Sequence, residues 1–360
     1  MTVQQHTDAE LARLYRDLDA VDLTPLWTIT EELLTPTPRP KARPWLWRAE
    51  VYRALAERAI EFVPIERGGE RRVLSLRNPG LAGRPYVAGT LWGGIQCLGP
   101  HESAPAHRHS PGAIRFVLEG EGVSTTVNGD ACDMRAGDLV LTPSMNWHDH
   151  LNSTDRNMLW FDGLDVPLVL ALDAIFFEPH PEANQQVLAR NDSERRFGGR
   201  AAHTSGVVHD VLDPTHSPLL IYRWTDTDAR LDAEAAARPE QPSVSVEYVN
   251  PRSGGSVLPT LACGMQRVFA GRTTSGVRRA GNWTFVVRDG AGHSIIDGRR
   301  FDWATGDMFV VPSWSAVEHH ADRRSDLFTL SDSPVLRALG LYREQPLDAP
   351  QQVTGVFTPR

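Results

Sequence analysis

Four histidines stand in two pairs of the form His-X-His. His107 and His109 open the stretch PAHRHSPGAIRFVLEG, and His148 and His150 close the later run WHDH. Side chains at i and i+2 point to one face of a β-strand, so each pair can face the same way. Two such strands in one small barrel would converge three imidazoles on a point. Imidazole suits iron, zinc, copper and nickel, and three protein ligands with positions left open is the pattern of a catalytic metal. One such pair alone would read as surface or core histidines. The second pair, set after a GD…TP strand and turn, shifts the reading to a metal.

The elements around these residues are short and strand-like. From Thr90 the runs TLWGGIQCL, IRFVLEG, GVSTTVNG, GDLVLTP and NMLWFDGL alternate or are apolar, and Asn128-Gly129 is a hairpin signal. This predicts an all-β barrel or sandwich. Ahead of it, Leu11, Leu14, Tyr15 and Leu18 predict an amphipathic helix over residues 8–21. Four prolines between Thr35 and Pro44 predict an extended arm, of a kind that lies across a neighbouring domain or subunit. A second helix is expected at about 46–60, with Trp47, Val51, Leu55 and Ile60 on its apolar side. Val166 to Phe177 reads as a strand, a short helix or a subunit contact. His180 to Arg200 reads as a polar, mobile loop, and Leu231 to Arg238 as a short helix.

Composition narrows the function classes. The chain has 360 residues, 41% hydrophobic and 23% charged, which suits packed globular domains. The net charge of −8 with no basic run argues against nucleic acid or an anionic membrane as partner. No apolar stretch approaches the ~20 residues of a membrane span, and the polar start does not read as a signal peptide. Cys97, Cys132 and Cys263 are odd in number and scattered, so no disulfide framework is expected and a cytoplasmic home is the simplest.

The second half repeats the first. Gly129, Gly137, Asp138, Pro143 and Ser144 recur at one constant offset as Gly298, Gly306, Asp307, Pro312 and Ser313. At that offset His148 becomes Val317 and His150 becomes His319. The register of the first pair is open by one residue: His107 falls on Gly276 or Val277, and His109 on Arg278 or Arg279. Glycine and valine offer no lone pair, and arginine stays protonated. The second barrel is therefore expected to be metal-free, with His293, His319 and His320 packing, hydrogen-bonding or facing solvent. The expected domains are 1–70 (N-terminal helices and arm), 71–165 (catalytic barrel), 166–260 (connecting region) and 261–345 (second, metal-free barrel).

PAHRH followed by GD(x)3TP(x)3WH resembles a cupin metal motif. TPLW, LLTP, RRVLSLRNPGL, TLWGGIQCLGP, PAHRHSPGAIRFVLEG, WHDH and WFDGLD in series resemble the gentisate 1,2-dioxygenase family, which includes salicylate and 1-hydroxy-2-naphthoate ring-cleaving dioxygenases. The resemblance covers nearly the whole chain and is most specific in residues 71–165. It implies an all-β bicupin, two double-stranded β-helix (jelly-roll) barrels with N-terminal helices, commonly a homotetramer. It implies Fe(II) held by His107, His109 and His148 in the first barrel. Most other cupins add a glutamate shortly after His-X-His; here SPGAIRF carries none, which leaves three positions of an octahedron open. The implied partners are dioxygen and a small aromatic hydroxy acid. Gentisate would be opened between its hydroxyl- and carboxyl-bearing carbons to maleylpyruvate.

A buried carboxylate calls for a guanidinium. Arg115, inside the apolar strand AIRFVL, is the expected carboxylate contact. Arg71 or Arg72, with Arg71 favoured, is a second contact. Trp92 and Gln96 share strand parity and would line the ring pocket, while Gly93-Gly94 would leave space there or mark a bulge. Asp162 is placed near the substrate. His150 is the candidate to hydrogen-bond a ring hydroxyl or act on it as acid or base. Two other readings compete: a cupin isomerase or decarboxylase, against which the missing glutamate and Arg115 count, and a non-catalytic metal-binding bicupin, against which the intact triad counts.

Overall fold

A computed structural model describes residues 8–69, 72–198 and 215–358. It divides into residues up to Arg39 and the rest of the chain from Pro40. The first part holds the helix Asp8–Asp19, none of whose residues is buried, a 3-10 turn Leu26–Thr28 and a helical turn Thr30–Leu33. The remainder is β-rich, as expected for a bicupin, and among the described residues no helix is long and apolar enough to cross a membrane.

The first barrel is made of two six-stranded sheets. One contains Leu139–Thr142, Ala113–Glu119, Met158–Leu164 and Trp92–Leu98 as neighbours; the other contains Ser103–His109, His148–Asn152, Glu121–Val127 and Asp130–Arg135. Strand alternation sorts the side chains. Val117, Val140, Met158 and Trp160 meet Val123, Cys132 and Met134 of the opposite sheet inside the barrel. Their sequence neighbours Phe116, Leu139, Leu141, Leu159 and Phe161 point outward into a core shared with the second barrel. There Phe116 stacks on Phe328 with ring centroids 4.1 Å apart. The second barrel is built on one ten-stranded sheet, and its interior holds Phe285, Val287, Ile296, Phe301, Phe309 and Val317.

Each barrel is completed by the segment that precedes the other. Strand Trp45–Trp47, ahead of the first barrel, pairs with Met308–Val310 of the second. Strand Ile221–Tyr222, ahead of the second, pairs with Leu139 and Val140 of the first. A helix follows each strand, Ala49–Phe62 and Trp224–Ala237. Asp307 accepts hydrogen bonds from Arg48 Nη1 (2.7 Å) and the amide of Ala49 (2.8 Å). Asp138 accepts from Arg223 Nη1 (2.8 Å) and the amide of Trp224 (2.9 Å). The two aspartates that mark the sequence repeat are thus anchors at the starts of exchanged helices, where a carboxylate satisfies an otherwise unpaired N–H and complements the helix dipole. Thr90 with Asp332, and Thr260 with Asp165, form a second reciprocal pair of hydrogen bonds between the barrels.

Several expectations are revised. The helix expected at 46–60 spans Ala49–Phe62, and Trp47 belongs to the strand before it. It buries Ala49, Tyr52 and Ala56, while Val51 and Leu55 are nearly half exposed. Small side chains let the helix lie close on strand Trp92–Leu98, with Cys97 Sγ 3.8 Å from the Ala56 carbonyl. Val166–Phe177 holds a short helix, Val166–Ala171, and then enters strand Phe177–Pro179. The region read as a polar loop contains strand Ala189–Arg190 and helix Asp192–Phe197; its last two positions, 199 and 200, lie outside the described residues. The helix expected at 231–238 begins earlier, at Trp224.

The reciprocal anchors generate a stability prediction. Asp307→Ala leaves Arg48 and the Ala49 amide unpaired and should cost about 2 kcal/mol. Chemical denaturation of the variant beside the wild type would measure it; an unchanged midpoint would show that the anchor contributes nothing.

Candidate metal centre

Strand pairing sets His107 directly opposite His148. Alternation then brings His109 and His150 to the same side. The ring centroids lie 4.4 Å apart for His107 and His148, 4.8 Å for His109 and His148, and 5.6 Å for His107 and His109. Each ring is held from behind by a backbone carbonyl: Nδ1 of His107 lies 2.8 Å from Pro105 O, Nδ1 of His109 lies 2.7 Å from Pro111 O, and Nδ1 of His148 lies 3.0 Å from Asn146 O. A carbonyl can only accept, so each Nδ1 carries the hydrogen and each Nε2 is left with its lone pair. One ligand atom from each ring lies within 4.8 Å of the other two. Nε2 of His148 is buried with no hydrogen-bond partner. A cation bound there would satisfy a buried acceptor that is otherwise costly, so these residues fit a metal ion.

Electrostatics agree. Burial holds His109 down to about 4, and burial with the nearby Arg115 charge holds His148 well below the ordinary imidazole range. Neutral imidazole is the ligating form. His150 is likewise held neutral, by burial first and by Arg115 next. Its Nδ1 is 2.8 Å from Thr125 Oγ1, which also lies 2.9 Å from Met134 Sδ. In the tautomer whose Nδ1–H donates to the hydroxyl, Nε2 of His150 is an acceptor.

The opposite sheet supplies a cation. Arg115 is buried and stands across the strand pair from Asp162. Its Nη1 donates to Thr142 Oγ1 at 2.5 Å; its Nε is 3.5 Å from Asp162 Oδ1 and has no hydrogen-bond partner. Asp162 Oδ1 accepts from Trp160 Nε1 at 3.0 Å. Burial pushes Asp162 up to about 6 against the pull of Arg115, and burial lowers Arg115.

Gln96 is buried opposite Trp160, and half-buried Trp92 lies on the same face two positions from Gly94, which stands opposite Asp162. The room expected at Gly94 is taken. A Cβ there would come within 2.6 Å of Val73 Cγ1 and 2.8 Å of Trp92 Cη2, so the glycine lets the indole fold across the strand. The Gly93 side faces Val87 and Phe161 instead. Arg71 lies outside the described residues. Its alternative Arg72 is committed elsewhere: it donates to both carboxylate oxygens of Glu102, at 2.7 and 2.8 Å, and to Val63 O. Thr125, Thr142 and Trp160 are polar contacts that the sequence reading passed over. Strand parity could have found them, since Thr125 lies across from His150, Trp160 lies across from Gln96, and Thr142 lies diagonally across from Arg115.

The second barrel carries the same wall with other side chains. Val277 pairs with Val317 as His107 pairs with His148, which settles the register at Val277 and Arg279. His319 keeps the partner type of His150, with Nδ1 2.8 Å from Ser294 Oγ, and lies beside the Phe285 and Phe309 rings; burial depresses it to about 3. His293 and His320 lie ring beside ring at 4.9 Å, and His320 Nδ1 meets Thr273 Oγ1. Among the described residues the only grouping suited to a metal is His107, His109 and His148.

Residues 94–166 match the cupin domain family. A gentisate 1,2-dioxygenase from Streptomyces sp. is 45% identical over 352 residues, covering 95% of this chain and 97% of the relative. The crystal structure of a salicylate 1,2-dioxygenase from Pseudaminobacter salicylatoxidans superposes with a TM-score of 0.89 at 40% identity, covering 95% of this chain and 99% of that one. A structure of that organism's salicylate 1,2-dioxygenase with gentisate gives a TM-score of 0.90 at 39% identity, covering 97% of both chains.

The triad predicts metal content. Protein loaded with Fe(II) without oxygen and then dialysed should hold about one ion per chain, by elemental analysis. His148→Ala should bring this to near zero, and His319→Ala should leave it unchanged. Iron retained in the His148 variant would show a different ligand set.

Proposed function

The chain belongs to the gentisate and salicylate 1,2-dioxygenase family of bicupins, and from that premise we propose that it opens gentisate with iron(II) and dioxygen to give maleylpyruvate. The bond cleaved joins the carboxyl- and hydroxyl-bearing ring carbons, and both atoms of dioxygen enter the product. The observation that carries this reading is Arg115. It is a buried guanidinium with an unpartnered Nε in the same barrel as the histidine triad. A metal site for small inorganic chemistry has no need of it, whereas an aromatic carboxylate does.

His107, His109 and His148 hold the iron. Iron(II) held there would supply a redox-active Lewis acid at which the hydroxy acid and dioxygen could meet. Arg115 binds the substrate carboxylate and fixes the ring's direction, and Asp162 balances the arginine's charge. The Nε2 acceptor of His150 takes a hydrogen bond from a ring hydroxyl and can hold its proton. Trp92 and Gln96 line the ring. The apolar residues packed behind this wall keep water from the reacting carbons.

Gentisate is favoured by its name on the 45% identical relative and by its para-hydroxyl, which makes the ring easier to oxidise. The second reading is the same cleavage of salicylate or 1-hydroxy-2-naphthoate, which the likeness to salicylate 1,2-dioxygenase supports. We further propose a cytoplasmic homotetramer, with residues 71–165 and 261–345 as its barrels and 1–70 and 166–260 as the segments that precede them.

Oxygen uptake by the iron-loaded protein should be stoichiometric with gentisate and accompanied by a new enol-ketone absorbance. Salicylate and 1-hydroxy-2-naphthoate, run in parallel, rank the alternatives, and no uptake with any of the three acids overturns the reading. Arg115→Met should lower kcat/KM about a hundredfold, the worth of charge-assisted hydrogen bonds, while keeping its iron.

A further inference from the structure

We propose that Thr142 is a positioning residue for the substrate carboxylate, acting through Arg115; this rests on the carboxylate role given to Arg115 above. Thr142 ends the strand Leu139–Thr142. Leu139 and Leu141 point into the core shared by the barrels, so Val140 and Thr142 face inward. Arg115 stands opposite Val140, which makes Thr142 its diagonal neighbour on that face, within reach of a long side chain. The threonine is fully buried.

Charge and direction come to the guanidinium from different residues. Asp162 supplies the counter-charge, but at 3.5 Å it leaves Nε without a hydrogen bond. The Thr142 hydroxyl accepts from Nη1 at 2.5 Å. A buried arginine facing a single carboxylate tends to a two-bond fork with it. In that arrangement the donors needed by a substrate would be spent on Asp162. Thr142 holds Nη1 to the far side and keeps the guanidinium from closing on the aspartate.

The second barrel is an internal control. In matching registers it has Val311 for Thr142, Phe285 for Arg115, Thr329 for Asp162 and Leu327 for Trp160. These four polar residues are replaced together. The His150–Thr125 hydrogen bond, in contrast, persists as His319–Ser294. A threonine needed by the barrel itself would persist in the same way. Val311 also shows that this wall accepts valine at that place.

The test is calorimetric titration of salicylate and of salicylamide, which lacks the carboxylate, into Fe(II)-loaded protein without oxygen. Thr142→Val should weaken salicylate about tenfold, the worth of one lost positioning hydrogen bond. It should leave salicylamide within about twofold, and Thr142→Ser should restore salicylate binding. In the Arg115→Met background Thr142→Val should add nothing, which distinguishes action through the arginine from a packing effect. Should the valine variant fold poorly, Thr142→Ala carries the same comparison. Equal losses for both ligands, a serine variant as weak as the valine one, or unchanged salicylate binding overturns the proposal. Absence of oxygen uptake by the wild type with every acid is the separate failure of the functional reading.

Discussion

A barrel interior that excludes water must be filled with hydrocarbon or have its polar groups matched to one another. The two barrels take these alternatives on one framework. The second fills most of its space with Phe285, Phe309, Val311 and Val317, and matches its buried His319 to Ser294. The first buries Gln96, Arg115, Thr125, Thr142, His148, His150 and Asp162. Each polar atom there is costly unless it has a partner, and almost every geometric feature of the site follows from providing one. Carbonyls take the outer nitrogens of the triad, a threonine takes His150, and an indole N–H takes Asp162. The atoms left over, His148 Nε2 and Arg115 Nε, are a lone pair and an N–H, which suit a metal ion and a carboxylate.

The exchanged segments make this arrangement stiff. Strand Leu139–Thr142 carries the hydroxyl that meets Arg115, and it has Arg115's own strand on one side. On its other side lies Ile221–Tyr222, contributed from the segment ahead of the second barrel. The turn before it is fixed by Asp138 to Arg223 and to the start of helix Trp224–Ala237. A loosening of the second barrel would therefore reach the first through this strand. That gives the second barrel, which shows no such triad among the described residues, a mechanical link to the site in the first.

The pattern of period two was legible in the sequence, and so was everything that follows from it: the barrels, the histidine triad, and the shared wall of Arg115, Asp162, Trp92 and Gln96. The repeat was legible because Gly137 and Gly306 both adopt positive φ before their aspartates, a conformation that keeps glycine in place. The exchange between barrels was not. Arg48 and Asp307 are 259 residues apart, and a single sequence contains no sign of which aspartate an arginine meets. The helix at 49–62 misled because its larger apolar residues stay outside while alanines make the close contact. The same limit applies to Arg72, whose partner Glu102 removes it from the site, and to Gly94, whose missing side chain makes room for an indole rather than a ligand.

Charge also favours an ortho-hydroxy acid as the class of ligand. Arg115 and Asp162 lie together, and the histidines are held neutral by burial, so the wall brings almost no net charge of its own. A divalent ion on three neutral imidazoles adds two positive charges to a place poor in water. A simple benzoate would return one negative charge, whereas a 2-hydroxybenzoate that has lost its ring-hydroxyl proton returns two and leaves the pocket balanced. The proton must leave through a neutral acceptor, and His150, held neutral by burial and by Arg115, offers one. Charge balance thus favours the ortho-hydroxyl alongside the hydrogen bond that His150 offers it. That balance rests on a wall in which the charges of Arg115 and Asp162 offset one another.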